Sequence, residues 1–401
     1  MRILVVTQYF WPENFRINDL CLGLQEKGHT ITILTGKPNY PSGNFFNGYT
    51  FLGKSTEYWN NIKIYRAPIL PRGKGKGFRL FLNYFSFAFF ASFKAFFIKE
   101  KFDKILVYEP SPITVGFPAI VSKWRTGAPI YFWVQDLWPE SISAAGGISN
   151  KFILKAFDHI TRYIYRKSKK VLVQSKAFIP YILKQNVQGD KLIYYPNSTE
   201  SFYNIVSKQT KYERLMPKGF NIMFAGNIGE SQSFDTLLKT SLKLKETGLQ
   251  VNWIILGDGR MKEYVSRKVK DYDLQSCFFL LGSYPVTEMP FFFACADVLL
   301  VSLKRSPIFN LTIPSKIQSY LACGKPILGS LDGEGARIIE ESGAGLTAPA
   351  EDHEKLYDCV LKIVKMSLEK RQEMSIKGRN YYEREFERGF LINRLIQILL
   401  N

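Results

Sequence analysis

The sequence is poor in histidine and cysteine, the residues from which most metal and redox centres are built. Its 401 residues contain three histidines and five cysteines. The cysteines are odd in number and widely separated, so they predict neither a disulfide framework nor a structural zinc site. Unpaired cysteines of this kind fit a reducing cytosol.

A signal peptide and a membrane-spanning run are also missing from the pattern. The N-terminus, MRILVVTQYF, leads straight into a strand-like segment with no cleavage site of small residues. We therefore expect the protein to stay inside the cell. The longest aromatic apolar stretch is the 14 residues between Arg79 and Lys94. It is shorter than the ~20 residues that span a bilayer, so we expect it not to cross the membrane.

Acidic residues are scarce in the first half of the chain. The formal net charge is +19, and residues 1–200 hold 27 Lys and Arg against 12 Asp and Glu, so this half carries +15 and the remainder +4. A basic half predicts an anionic partner, either nucleic acid or an acidic lipid surface. No zinc-finger, ribonucleoprotein or helix-turn-helix signature accompanies the charge, so we expect no nucleic acid.

Apolar segments of strand length alternate with helical stretches through most of the chain. Runs such as Ile3–Val6 and Trp253–Leu256 are nearly continuous, which is typical of parallel strands covered on both faces. The pattern predicts two doubly wound α/β domains. The predicted parts are an N-terminal domain, 1–196, a linker, 197–219, a C-terminal domain, 220–376, and C-terminal helices, 377–401, that return to the N-terminal domain.

Residues 72–101 combine aromatic side chains with cations at both ends. Seven Lys or Arg stand against one acid, Glu100, and seven aromatic residues lie between Arg79 and Lys94. Such a helix suits the interface of an anionic membrane, where each cation contributes about 1 kcal/mol. We therefore predict a peripheral position on the inner face of the cytoplasmic membrane. The alternative is a buried helix whose aromatic residues pack on the sheet.

In open α/β sheets ligands bind beyond the carboxyl ends of the strands, so the loops there hold the candidate site. The first loop, QYFWPENFRIN, contains no glycine, which excludes a dinucleotide-binding dehydrogenase. Asn14 and Arg16 are its candidate acceptor contacts. The loop QDLWPES adds Gln135, Asp136, Trp138 and Glu140. Its two carboxylates suit acid/base work or sugar hydroxyls, although Asp136 equally suits a helix cap.

The C-terminal half carries the candidate phosphate site. Its glycine turns let a phosphate or a flat base approach the backbone, and Lys316 lies in the first turn of a helix, where it opposes the dipole unless an anion is bound. Taken singly, the turns are also consistent with ordinary tight turns and the lysines with solvated surface. The candidate residues are Gly226, Asn227, Gly229, Gly257, Gly259, Arg260, Lys304, Arg305, Ser315 and Lys316.

Together these stretches resemble family 4 of the retaining GT-B glycosyltransferases, whose two Rossmann-like domains face each other across a cleft. The resemblance covers the whole chain and is greatest to the N-acetyl-L-fucosamine transferases of O-antigen and capsule assembly. The stretches that carry it are QYFWPENFRINDL, KGHTITILTGKPNYPSG, VQDLWPES, YPNS, FAGNIGE, LGDG and PSKIQSYLACGKPI.

The resemblance implies a UDP-sugar held by the C-terminal domain, a polyprenyl-diphosphate-linked acceptor held by the N-terminal domain, and neither metal nor cofactor. Lys304, Arg305 and Lys316 would then neutralise the leaving diphosphate. The pattern departs from the family at its two glutamates, which are Leu311 and Ser319 here, so Glu334 or Glu340 is the candidate ribose contact. Gln135 stands at the position where the family often has a histidine, so a backbone carbonyl is left to act at that position.

The predicted activity is retaining transfer of a sugar, N-acetyl-L-fucosamine by resemblance, to an undecaprenyl-diphosphate-linked sugar. Positioning and electrostatic stabilisation would supply most of the catalysis. Asp136, Glu140, Lys304 and Lys316 are the predicted catalytic residues. Two alternatives remain open at this point, a UDP-sugar 2-epimerase and a non-catalytic membrane-associated scaffold of polysaccharide assembly.

Overall fold

A computed structural model of the chain describes residues 1–73, 77–141 and 150–401. The chain divides into two compact units, one formed by Met1–Pro196 with Leu391–Asn401 and the other by Asn197–Phe390. The boundary after Pro196 coincides with the predicted end of the first domain. The segment predicted as a linker belongs to the second unit, as does 377–390. The returning C-terminal segment is therefore shorter than the predicted 377–401 and begins at Leu391.

The first unit is built on an eight-stranded sheet. Its strands in spatial order are β3-β4-β2-β1-β5-β6-β7-β8, and every pair is parallel except β3 with β4. Chain order reverses between β1 and β5, which is where a doubly wound sheet opens a ligand crevice. The strands are β1 (Arg2–Val6), β2 (Thr30–Gly36), β3 (Thr56–Trp59), β4 (Ile62–Ala67), β5 (Lys104–Glu109), β6 (Ile130–Val134), β7 (Lys170–Val173) and β8 (Leu192–Tyr194).

Helices cover both faces of this sheet, which explains why its central strands are apolar along their length. All five residues of β6 are buried, as are the last five of β5. The helices are α1 (Arg16–Glu26), α2 (Gly77–Phe97), α3 (Gly116–Thr126), α4 (Lys151–Lys167) and α5 (Ile179–Lys184).

The second unit has a six-stranded, wholly parallel sheet in the order β11-β10-β9-β12-β13-β14. This is the Rossmann order, and it reverses between β9 and β12. The predicted fold class, two doubly wound α/β domains, is confirmed. The strands are β9 (Phe220–Ala225), β10 (Val251–Leu256), β11 (Phe278–Gly282), β12 (Val298–Ser302), β13 (Ile327–Ser330) and β14 (Gly345–Ala348).

Ten further helices follow the first unit's sheet. A short α-helix at the start of the second unit lies within the predicted linker. The last helix packs on the first unit, where Leu391, Leu395 and Leu399 are buried in its core and Tyr195 Oη donates to the Leu391 carbonyl at 3.0 Å. The ten are α6 (Thr210–Glu213), α7 (Phe234–Lys245), α8 (Lys262–Asp271), α9 (Met289–Cys295), α10 (Pro307–Leu311), α11 (Ser315–Ala322), α12 (Gly333–Glu341), α13 (His353–Val364), α14 (Leu368–Glu385) and α15 (Arg388–Leu400).

The aromatic basic segment forms α2, and its two faces differ. One face, which includes Phe87, Ala91 and Ala95, is buried against β2, β4 and α3. The opposite face leaves several phenylalanines exposed, so the buried-helix alternative holds for one face only. Among the described residues α2 alone is long and apolar enough to cross a membrane, and 33% of its most apolar window is buried. Lys74 and Lys76, part of the predicted basic end, lie outside the described residues.

Candidate active site

Glu13 fixes the first loop at the carboxyl end of β1. Its carboxylate is buried and accepts backbone N–H groups from Asn39 and Tyr40 at 2.8 Å and from Phe10 at 3.2 Å. Burial raises the pKa of Glu13 to about 7, although these N–H groups and the Arg66 cation lower it. The carboxylate thus joins the loop after β1 to the loop after β2. Its role was missed in the sequence because a buried Glu and an exposed Glu look alike there.

Asn14 and Arg16, the predicted acceptor contacts, lie on either side of the start of α1. Asn14 is exposed and Arg16 is half-buried as the first residue of the helix. The adjoining loop is held by Asn18, whose amide donates to the Glu13 carbonyl at 2.8 Å and accepts from the Trp11 N–H at 3.2 Å. These bonds place the two candidate side chains at the edge of the sheet where β1 meets β5.

Two acids meet at the carboxyl ends of β5 and β6. Glu109 is the last residue of β5, and its carbonyl accepts the Gln135 N–H at 3.0 Å. Its carboxylate oxygens are buried and have no hydrogen-bond partner among the described residues. Burial, with the neighbouring Asp136 charge, holds the pKa of Glu109 well above its usual range. A buried carboxyl group with a raised pKa therefore stands beside Asp136, and sequence reasoning did not single it out.

The two acids of the loop after β6 remain close to each other in the structure. Burial raises the pKa of Asp136 to about 6, and the Glu140 charge adds to the rise. Ser141 Oγ donates to Asp136 Oδ1, so the carboxylate is held by a residue five positions later. Burial also raises the pKa of Glu140. Both side chains thus have the perturbed titration that acid/base groups need.

Trp138 and Gln135 differ from the prediction in what they touch. Trp138 was predicted as a sugar contact, but it is 3% exposed because its ring packs 6.0 Å from Tyr84 and 5.2 Å from Phe157, measured between centroids. It is a core residue of the first unit. The Gln135 backbone carbonyl accepts Gln174 Nε2 at 3.0 Å. This hydrogen bond occupies one lone pair of the backbone carbonyl that was predicted to act at the position of the family's histidine.

In the second unit, the glycines after β9 and β10 interlock. A Cβ on Gly257, whose φ is +138°, would lie 1.9 Å from the Gly226 carbonyl oxygen. A Cβ on Gly259 would lie 2.4 Å from the Ile228 carbonyl and 2.6 Å from Asn227 Oδ1, and one on Gly229 would lie 2.5 Å from Asn227 Nδ2. Only glycine allows the two loops to approach so closely. The glycine motifs therefore build one surface instead of two independent turns.

The Lys316 ammonium lies on this surface. A Cβ on Gly226 would lie 3.1 Å from Lys316 Nζ, which donates to Gln232 Oε1 at 2.5 Å and lies 3.8 Å from the Phe224 ring centroid. No carboxylate of the described residues forms an ion pair with it. Burial lowers the pKa of Lys316 to about 7. A cation without a counter-ion at the start of a helix is a place for an anion.

Lys304 and Arg305, the other cations predicted to bind the diphosphate, differ in whether their side chains already have partners. The Lys304 N–H donates to the Ser231 carbonyl at 2.8 Å, which ties the loop after β12 to the loop after β9, and its side chain is exposed. Arg305 was predicted to bind the same charge. Instead its Nε lies 3.4 Å from Asp332 and its Nη2 donates to the Ala350 carbonyl at 3.0 Å, because the loop after β12 passes beside the end of β14.

The ribose candidates are partly occupied. Both carboxylate oxygens of the buried Glu334 accept from Arg337 at 2.9 Å, while Glu340 accepts the hydroxyl of Thr347. Ser319, which stands where the family has glutamate, hydrogen-bonds Thr199 between hydroxyl oxygens at 3.1 Å. Arg260 is exposed on the loop after β10, and Ser315 is the exposed first residue of α11. Glu334 has spare lone pairs for a further donor.

Two buried hydroxyls complete the edge of the second sheet. Ser302 and Ser330 end β12 and β13 and pair in register. Both are fully buried, and neither hydroxyl oxygen has a hydrogen-bond partner among the described residues. Sequence reasoning did not single them out. Within the same part of the chain, no group of three or more His, Cys, Asp or Glu is placed to hold a metal ion.

Comparison with known proteins identifies the architecture. The family model "Glycosyl transferase 4-like domain" matches residues 14–198, and "Glycosyl transferases group 1" matches residues 219–366. The putative colanic acid biosynthesis glycosyl transferase WcaI of Escherichia coli is 22% identical over 81% of this chain and 82% of its own length. The amylovoran biosynthesis glycosyltransferase AmsK of Erwinia amylovora is 24% identical over 63% and 61%.

Solved structures agree with this match at the level of the fold. HepE of Anabaena, crystallised in complex with UDP, superposes with a TM-score of 0.69 at 11% identity and covers 100% of this chain and 99% of its own. The two family matches together span most of both units, and the relatives that this chain resembles, WcaI and AmsK, are named as glycosyltransferases. The resemblance to the family is therefore confirmed: the chain belongs to the family 4 glycosyltransferases and has the GT-B fold.

Proposed function

We propose that this glycosyltransferase takes a sugar from a UDP-sugar held by the second unit and transfers it to a polyprenyl-diphosphate-linked acceptor in polysaccharide assembly. The observation that carries the proposal is Lys316, a half-buried lysine that forms no ion pair with any carboxylate of the described residues and lies against the Gly226 backbone at the start of α11. HepE, the neighbour of the same fold, was solved with UDP bound, and WcaI and AmsK are named for polysaccharide biosynthesis.

The charge at this surface favours a diphosphate. The N-terminus of α11 carries the positive end of the helix dipole, and the protonated Lys316 adds a charge that no carboxylate of the described residues compensates. The exposed Lys304 side chain lies on the loop bonded to Ser231 and is free to reach the same anion. As the bond to the leaving diphosphate breaks, charge develops on its oxygens, and fixed cations there lower the barrier without a metal.

The remaining contacts to the nucleotide are proposed for the residues that the sequence predicted. Asn227, Gly229, Gly257, Gly259 and Arg260 would support the phosphates and base. In the same proposal the ribose hydroxyls bond the Glu334 lone pairs that Arg337 leaves unused, and Ser315 adds a helix N-terminal donor.

The acceptor side is proposed on the first unit. Asp136 and Glu140 would orient acceptor hydroxyls and take part in proton movement, with Asn14 and Arg16 at the adjoining edge. The exposed aromatic face of α2 and the cations of 72–101 would hold the protein on the anionic inner face of the cytoplasmic membrane. Retention of configuration and N-acetyl-L-fucosamine as the donor sugar are proposed on the resemblance.

The proposal is tested by identifying the product. Purified protein is incubated with undecaprenyl-diphosphate-linked N-acetylglucosamine and a panel of UDP-sugars that includes UDP-N-acetyl-L-fucosamine. Mass spectrometry of the lipid should show one added deoxy-aminosugar, and NMR of the product should show the anomeric configuration of the donor. An inverted product overturns retention alone. Release of an epimerised UDP-sugar with no lipid product favours a 2-epimerase, and failure to bind UDP favours a scaffold.

A further inference from the structure

A groove in the first unit lies between α2 and the loop that precedes β3. Its volume is about 520 Å³, within the range of small-molecule sites. The loop and the helix meet across it through Phe51 and Phe90, whose ring centroids are 5.5 Å apart at 84°. The aromatic side chains that line the groove are Phe51, Phe89, Phe90, Phe93 and Phe97.

The groove is apolar and uncovered. Leu52 is 83% exposed, Phe89 68% and Phe93 63%, and all three line the same concavity. Single exposed apolar residues are common on soluble proteins, but several large ones around one groove mark a surface that binds apolar matter. An aliphatic chain fits a surface made of phenylalanine rings and leucine.

Cations gather at the same groove and exceed the acids near them. Lys37, Arg66 and Lys94 line it, while Glu57 is the acid paired with them among the described residues, through Arg66 Nε at 2.6 Å. Lys37 is buried, and its Nζ donates to the carbonyls of Gly53, at 2.6 Å, and Lys54. Lys94 is half-buried, and its Nζ donates to the Ser55 carbonyl at 2.7 Å. Carbonyl oxygens leave the charge uncompensated, so the groove combines apolar walls with a site for an anion.

Burial and the two neighbouring cations, Lys94 and Arg66, lower the pKa of Lys37 to about 8. This shift reports the same crowding of positive charge as the geometry does. A bound phosphate would relieve it.

The charged part of the groove adjoins the candidate acceptor loops. Lys37 follows β2 directly and precedes Asn39, whose N–H is held by Glu13. Arg66 Nη1 donates to the Gly36 carbonyl at 3.0 Å, and Nη2 donates to the Trp11 carbonyl in the loop after β1. A chain lying in the groove would therefore deliver its phosphate end to the loop that carries Asn14.

We propose that this groove binds the hydrocarbon chain of the lipid-linked acceptor, with Lys94 receiving the phosphate at its end. The inference rests on the proposed function, because it takes the acceptor to be a lipid. A chain of the acceptor is favoured over bulk membrane lipid because the cationic part of the groove adjoins the loops of the candidate acceptor site.

The probe is farnesyl diphosphate, a short soluble chain with a phosphate end, titrated into the full-length protein by calorimetry. We expect farnesyl diphosphate to bind at least tenfold more tightly than either farnesol or inorganic diphosphate. Phe93→Ser should weaken it tenfold or more. Phe152→Ser is the matched control, because Phe152 is 86% exposed on the same unit but outside the groove, and it should leave binding unchanged. Lys94→Gln should weaken farnesyl diphosphate but not farnesol.

Three results would contradict or replace the proposal that this groove binds the acceptor's hydrocarbon chain, or separate its failure from that of the proposed function. Equal losses from Phe93→Ser and Phe152→Ser, with circular dichroism showing both variants folded, would mean that the groove does not bind the chain. Binding of dihexanoyl phosphatidylglycerol as tight as that of farnesyl diphosphate, and equally weakened by Phe93→Ser, would assign the groove to bulk membrane lipid. Failure of the proposed function is separate: it shows as no sugar transfer by the wild type, whereas failure of the groove shows as transfer that Phe93→Ser leaves intact.

Discussion

Lys316 Nζ lies 2.5 Å from the side-chain oxygen of Gln232, so a helix N-terminus and the loop after β9 share one hydrogen bond. The bond joins two sequence motifs that are 84 residues apart. Because the glutamine side chain is uncharged, this hydrogen bond holds the Lys316 ammonium in place without cancelling its charge. The Lys316 ammonium is consequently the best-placed charge for a diphosphate in the second unit.

Binding of UDP should depend on pH through Lys316. Burial lowers its pKa to about 7, so the free protein carries a partly neutral amine above that pH. A bound diphosphate favours the charged form, so UDP binding should take up a proton between about pH 7 and 9 and weaken as pH rises. Calorimetry in buffers of different ionisation enthalpy measures this uptake. Lys316→Met should abolish it, while unchanged uptake in that variant would assign the titration elsewhere.

The same lysine should affect stability in the ligand-free protein. Its folded pKa is below the unfolded value of 10.5, so the unfolded state binds more protons between about pH 7 and 10.5. This residue therefore makes folding more stable as pH rises through that window. Denaturant unfolding of wild type and Lys316→Met at pH 7 and 9.5 should show a smaller pH-dependent gain in the variant. Equal gains would contradict the lowered pKa of Lys316 in the folded protein.

Gly257→Ala should be strongly destabilising. Its Cβ would overlap the Gly226 carbonyl, and φ is +138°, so both a clash and backbone strain contribute, together roughly 3 kcal/mol or more. Gly248→Ala is the control, because φ is +71° there but nothing lies near the added Cβ, and it should cost about 1 kcal/mol. Chemical denaturation compares the two free energies of unfolding. Similar values would mean that the loops do not interlock.

Glu13 should make stability fall as pH rises from about 4.5 to 7. Its folded pKa of about 7 is above the unfolded value of 4.5, so the folded state holds the proton in this window and loses that advantage above it. Glu13→Gln should flatten this slope in urea titrations. Asp190→Asn, an exposed acid of the same unit, should leave the slope as in the wild type. A slope that survives Glu13→Gln would contradict the burial of this carboxyl.

Cations near the end of α2 should govern vesicle binding. Lys99 and Lys101 are exposed, and each contributes about 1 kcal/mol on an anionic surface, so changing both to Gln should weaken binding to phosphatidylglycerol vesicles roughly tenfold or more. The control changes Lys355 and Lys365, exposed lysines of the second unit, to Gln. Co-sedimentation measures both. Equal loss in both double variants would show non-specific charge attraction.

The fold was predictable because buried parallel strands are apolar along their whole length. The apolar runs Ile3–Val6 and Trp253–Leu256 lie within β1 and β10 of the structure. Thr56–Trp59 was missed because it is a half-exposed antiparallel edge strand, and Gly345–Ala348 because it is short and begins with glycine. Edge strands lack the two-sided burial that makes a strand visible in sequence.

The sequence predicted which loops carry the candidate site, but not which side chains in those loops contact each other. The glycine motifs and Lys316 were visible because backbone approach and helix position depend on local sequence. The pairing of Arg305 with Asp332, the burial of Trp138 and the isolation of Glu109 depend on residues that are distant in the chain. Tertiary packing decides which polar groups remain free, and a single sequence does not specify it.

The most direct test follows a radiolabelled sugar from the UDP donor into the lipid extract. Wild type and Lys239→Met, which changes an exposed lysine of the same unit, should pass label to the organic phase at similar rates. Lys316→Met should lower the rate about a hundredfold or more, the usual loss when a group that stabilises the leaving charge is removed. Label that stays in the aqueous phase with wild type, or equal rates for the two variants, would contradict transfer from a diphosphate held at Lys316.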